Sequence, residues 1–217
     1  MVQCYCGIRI CWSDRVKQML EPVFQTSELL QCSQGTLFGE NTPKLPAPPL
    51  LAFDEVVEID KTNGKYGHGY AIARKSLSSI AWVFESHFYR DPVMPGTMMI
   101  EGLLQLAGFC GAYAGGRGKG RAARVDDIRF LAEVTPADKE ILYRVDIRKC
   151  NAEHTLVVAE GKVTARGTDR TKVGCLWVVV VKDTARARAD GAALRYLAAP
   201  SSRALAAAFP PAVTLSP

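Results

Sequence analysis

An α+β fold, with one long buried helix and an antiparallel sheet wrapped around it, is what these 217 residues predict, and three observations carry it. Residues 97–114 have helical length and are almost wholly apolar. Several runs on either side alternate apolar and polar residues or read as short apolar strands. Asn63-Gly64, a strong hairpin turn, places the first two of those runs side by side.

The first 25 residues carry no pattern that assigns them a structure or a role. Thr26-Ser27 then offers an N-cap for a short helix over residues 28–32. Residues 35–49, rich in Gly and Pro, read as an extended lead-in. A strand is expected over residues 50–59 (LLAFDEVVEI), followed by the Asn63-Gly64 turn and a second strand over residues 65–74. A brief strand over residues 81–85 delivers His87. Beyond the long helix, GGRGKGR makes a glycine-loosened basic loop, and strands are expected over residues 124–134, 140–150, 155–166 and 172–182. The clearest of them alternates Ile141, Tyr143, Val145 and Ile147 with Arg144, Asp146 and Arg148, which marks one buried face. Trp177-Val178-Val179-Val180-Val181 is too short to cross a bilayer and reads as a buried strand. From residue 184 the composition shifts to Ala, Arg and Pro, so residues 26–183 are expected to form one domain and 184–217 a poorly ordered tail.

With 48% hydrophobic and 23% charged residues, the chain can bury a full core. The net charge of +5, from 27 basic and 22 acidic residues, suits an acidic partner. Dispersed charge and the lack of a recognised motif argue against nucleic acid. Seven cysteines without C-x-x-C spacing fit reduced thiols in the cytoplasm, and the first residues do not read as a secretory signal. Cys4-x-Cys6 with Cys11 lacks a matching second ligand set, so no metal is expected there.

Chemistry concentrates between residues 84 and 116. Glu101 and Gln105, the strongly polar residues in the body of the helix, stand four apart and share a face. A carboxyl group on an otherwise apolar helix is expected to be buried, at a desolvation cost that demands a reason. Fourteen positions earlier stands His87, and Asp91-Pro92-Val93-Met94-Pro95-Gly96 between them turns the chain and opens the helix. The N–H groups of a first helical turn have no intrahelical partner and can receive an oxygen that gains negative charge. A base, an acid and oxyanion donors therefore come from one short segment, with no call for a metal or diffusible cofactor. Histidine is basic near neutral pH, whereas a carboxyl group serves as the acid if burial raises its pKa.

His87-Phe88, the Asp91-to-Gly96 turn, an acidic residue fourteen after the histidine and Gln105 four further on resemble the 3-hydroxyacyl-[acyl-carrier-protein] dehydratases of bacterial fatty acid synthesis, most closely the 3-hydroxydecanoyl type. The resemblance continues through Gly35-Thr36-Leu37-Phe38-Gly39, Leu45-Pro46-Ala47-Pro48, the basic loop and Tyr143-Arg144, and covers roughly residues 27–182. It implies a hot-dog fold, a homodimer whose sites take histidine and acid from different subunits, and dehydration to the trans-2-enoyl product. By that carry-over His87 is the base, Glu101 the acid, the Gly96 N–H the donor to the thioester oxygen, the Val93 carbonyl the partner of the imidazole, and Gln105 the holder of the carboxyl group. An acidic carrier protein bearing the acyl chain would dock on basic residues, with Arg90, Arg117, Lys119, Arg121, Arg148 and Lys149 as candidates.

Two departures bear on the reaction. Glu101 stands where the decanoyl type carries Asp, which leaves trans-2 to cis-3 isomerisation open, and Ser86 precedes the histidine where cysteine is usual. Glu153 and His154 interrupt the basic run expected near the docking surface. The rival readings are a thioesterase on the same fold and a noncatalytic acyl-carrier binding paralogue.

Overall fold

The computed structural model describes residues 23–151 and 155–181. The first three cysteines, Glu153, His154 and the expected tail therefore lie outside the described residues. The described elements are helix α1 (Thr26–Gln34), strands β1 (Glu55–Asp60) and β2 (Tyr70–Ser76), helix α2 (Ala81–Ser86), helix α3 (Gly96–Tyr113), and strands β3 (Lys119–Phe130), β4 (Glu140–Cys150), β5 (Leu156–Ala165) and β6 (Thr168–Val181). Six strands make one antiparallel sheet in the order β1-β2-β4-β5-β6-β3. Helix α3 lies across β4, β5 and β6, giving the α+β hot-dog arrangement.

The sheet closes on α3 because each inner strand offers it an apolar face. Ile141, Tyr143, Val145 and Ile147 of β4 are buried, as their alternation predicts, and Val157, Ala159 and Val163 of β5 continue the layer. From α3, Met99, Leu103, Leu106 and Phe109 fill the space opposite. Met94 and Met99 belong to this core, and the Met99 sulfur accepts a hydrogen bond from the Thr171 hydroxyl (3.3 Å). Among the described residues, no helix is long and apolar enough to cross a membrane.

Three expected elements differ in instructive ways. Helix α1 is capped by Gln25 and not by Thr26-Ser27: Gln25 and Glu28 satisfy each other's backbone groups, while the Thr26 hydroxyl donates to the Asp54 carbonyl. Phe24 pairs with Val56 in both directions and packs edge-on against Phe38, Phe109 and Tyr113, so the packed body begins before residue 26. The first strand starts at Glu55 and not at residue 50, because the backbone at Leu50 and Ala52 is bonded to the Gln105 side chain instead of a neighbouring strand.

The segment expected as a strand over residues 81–85 is helix α2. Ile80, Val83 and Phe84 are buried while Ala81, Trp82 and Glu85 are exposed, which is helical spacing in a window too short to separate it from a strand. The hairpin is also wider than two residues. Asp60 accepts the Thr62 and Asn63 N–H groups (2.7 and 2.8 Å), and Lys65 N donates to Asp146 (3.2 Å), so β2 begins at Tyr70. Over this loop Glu160 accepts from Lys65, Tyr66 and Arg148. Burial alone would raise its pKa, but those three donors together bring it down to about 2.

Candidate active site

His87 follows directly on α2, and its backbone N–H bonds back to Val83 O (2.9 Å). Phe88 and Asp91 exchange two backbone hydrogen bonds (2.7 and 3.0 Å), which closes a tight turn over Tyr89 and Arg90. The returning chain places Val93 against His87 twice: Val93 N donates to His87 O, and His87 Nδ1 lies 2.8 Å from Val93 O. A carbonyl oxygen only accepts, so Nδ1 carries the proton. In the neutral ring the lone pair is then on Nε2, the arrangement a general base needs. The Phe88 ring leans on the imidazole at 3.7 Å between centroids and 31° between planes.

Met94 N donates to Val134 O (2.8 Å), which fixes the far side of the turn before Pro95 caps α3. Gly96 opens that helix, and a Cβ on it would lie 2.5 Å from the Phe130 ring. Only a glycine lets the exposed Phe130 ring lie against the helix start. Sequence reasoning missed Phe130, because nothing local links the end of β3 to residue 96.

Glu101 and Gln105 form the second half of the site. Gln105 is buried; its Nε2 donates to Glu101 Oε1 and Leu50 O (both 2.9 Å), and its Oε1 accepts the Ala52 N–H (2.9 Å). It thereby ties the Glu101 carboxyl group to the extended segment ahead of β1. Replacing Gln105 with alanine leaves Leu50 O and Ala52 N without that partner and releases the carboxyl group. The expected result is a loss of about 2 kcal/mol in urea unfolding.

Glu101 is exposed in the single chain, contrary to the burial expected from its apolar helix. The reason is its position near the open end of α3, where the sheet covers Gly102 and Leu103 but not residue 101. Glu101 and Gln105 line a cavity of about 330 Å³ together with Leu45, Leu104, Gly108 and Phe109. His87, Val93 and Gly96 are not among its lining residues. Within one chain, then, the five residues divide into a histidine group and a carboxyl group.

The candidate docking residues do not form one patch. Arg117 donates to Phe38 O (2.9 Å) and Glu40 O (3.4 Å), a structural tie. Arg148 is paired with Glu160 (3.0 Å) and stacks on Tyr66. Lys119 and Arg121 line a second cavity with Lys44, at the start of β3. Arg90 stacks on Tyr89, which is 82% exposed, and Lys149 is exposed on β4, three strands away from β3. Among the described residues no cluster suited to a metal ion occurs, and Cys32, Cys110 and Cys175 are free thiols.

Residues 45–172, more than half of the chain, match the FabA-like domain family. The chain belongs to that family. Among solved structures, this FabA-like chain is similar to the dehydratase heterocomplex ApeI:P from Xenorhabdus doucetiae, at 12% identity and a TM-score of 0.52, over 66% of this chain and 91% of that one. A hypothetical thioesterase with coenzyme A from Streptococcus pneumoniae aligns at 16% identity and a TM-score of 0.42, over 58% and 85% of the two chains. At 12% identity the first of these likenesses speaks for the fold alone and leaves the chemistry to the site itself.

Proposed function

We propose that this FabA-like protein dehydrates 3-hydroxyacyl chains carried on acyl carrier protein, giving the trans-2-enoyl thioester for fatty acid synthesis. The observation that carries the reading is the His87 imidazole with Nδ1 held on Val93 O, which leaves Nε2 as a base next to the start of α3. His87 removes a proton from the carbon beside the thioester carbonyl. The Gly96 N–H receives the charge that develops on the carbonyl oxygen. Glu101, held by Gln105, protonates the 3-hydroxyl, which departs as water, and the carbon–carbon double bond forms between the two centres.

That sequence needs base and acid on one substrate, and a homodimer supplies it by joining the histidine group of one subunit to the carboxyl group of the other. Strand β3 supports such pairing. It is a twelve-residue sheet edge that pairs only with β6 among the described residues, and it leaves Ile128 and Phe130 exposed at 41% and 55%. An isologous, antiparallel contact would pair that edge with the same edge of a second copy. An acidic carrier would meet exposed basic residues, with Arg90 and Lys149 less committed to internal bonds than Arg117 or Arg148.

Incubation with 3-hydroxydecanoyl carrier protein tests the reading. Dehydration predicts a trans-2-enoyl product, with any cis-3 product settling isomerisation, whereas release of free acid and thiol would point to a thioesterase. Replacing Glu101 with glutamine keeps the contact to Gln105 but removes the transferable proton. An expected loss of about a hundredfold in kcat, with KM little changed, checks its role as acid.

A further inference from the structure

Three of the four glycines within α3 have an evident reason. A Cβ at Gly96 meets Phe130, one at Gly102 meets the Tyr143 ring, and one at Gly111 lies 3.1 Å from Val157. Gly108 is different. A Cβ there meets only Val178, at an ordinary 3.9 Å, and the backbone is helical, so neither packing nor conformation calls for glycine. Glycine in a helix interior is disfavoured relative to alanine, so an uncompensated one points to something outside the chain that must come close.

Gly108 lines the same cavity as Glu101, one face of α3 presenting Glu101, Leu104, Gln105 and Gly108 in succession. Leu45, Phe109, Ala122 and Val178 also line it, together with the basic residues Lys44 and Arg121. From Glu101 to Gly108 is two helical turns, about 10 Å. An extended acyl chain of about eight carbons covers that distance at ordinary C–C bond lengths.

We infer that Gly108 sets the length of acyl chain the site accepts: the aliphatic tail leaves the reacting carbons at Glu101, runs along α3, and passes over residue 108 where the missing side chain gives it room. The inference rests on the dehydratase reading and adds to it the residue that limits how long an acyl chain fits. Leu104 and the edge of Phe109 supply the apolar walls, and a side chain at 108 blocks the distal part of the groove while leaving the reacting carbons alone.

The test compares kcat/KM for 3-hydroxybutyryl and 3-hydroxydecanoyl carrier protein in the full-length wild type, Gly108→Ala and Gly108→Leu, with the mass of each assembly measured alongside. The decanoyl-to-butyryl ratio is expected to fall about threefold for Gly108→Ala and about thirtyfold for Gly108→Leu. Gly108→Ala, whose Cβ has room, keeps the test decisive if the larger residue impairs folding. An unchanged ratio in both variants overturns the inference while leaving the dehydratase reading in place. So does a wild type that turns over the butyryl but not the decanoyl substrate. Variants smaller in mass than the wild type would assign the groove to a second copy of the chain and overturn it too. Turnover of neither substrate by the wild type removes the dehydratase reading itself, and the inference with it.

Discussion

Replacing His87 with alanine is expected to lower kcat for 3-hydroxyacyl dehydration about a thousandfold or more while leaving the melting temperature close to that of the wild type. The ring's polar contact with the protein is Nδ1 to Val93 O, and the turn that holds His87 is built from backbone hydrogen bonds, so little of the fold depends on the imidazole. Steady-state kinetics and a thermal melt on the same preparation separate the two effects. His87→Gln sharpens the comparison, since an amide can still donate to Val93 O but offers no base of the required strength. A variant that kept a substantial fraction of wild-type turnover would remove His87 from the reaction.

The largest effect on stability is expected at Gly102. A Cβ there falls within the Tyr143 ring, closer than real side chains approach one another. Tyr143 is 0% exposed in the middle of β4, so its ring has nowhere to go without moving α3 off the sheet. Burial first, and then the charges of Asp54 and Glu101, push its phenol pKa well above the usual value, so the ring stays neutral. Its hydroxyl has no hydrogen-bond partner among the described residues, and no polar tie opposes removing the ring. Gly102→Ala should therefore cost about 3 kcal/mol in urea unfolding. Adding Tyr143→Leu should recover part of that loss, because the two residues compete for one volume. Additive losses in the double variant would show that the pair is not in contact.

How much of this was legible in the sequence depends on the range over which each signal acts. Helix α3 and strand β4 are long and strongly patterned, and the structure places them where the periodicity does. The turn from Asp91 to Gly96 was legible because Pro and Gly restrict the backbone locally. Helix α2 was not, since six residues hold too little periodicity to outweigh their strand-like composition. The bonds from Gln105 to Leu50 and Ala52 span more than fifty residues and have no local trace, yet they decide where β1 begins. Glu101 was expected to be buried from the apolarity of its helix, but its exposure depends on where the sheet stops, which is a property of the whole fold. Gly108 and Phe130 stand in the same position: each is unremarkable in sequence and acquires meaning from its spatial neighbours.

The central claim is that an imidazole and a carboxyl group from two copies of the chain act on one thioester. Mixing His87→Ala and Glu101→Gln subunits through denaturation and refolding, or by co-expression, tests it directly. Each variant alone is nearly inactive, but half of a random mixture pairs unlike subunits, and each such dimer regains one intact site of two. Activity of about a quarter of the wild type is therefore predicted by the symmetry of the assembly. A mixture that stays as inactive as its components would contradict the account.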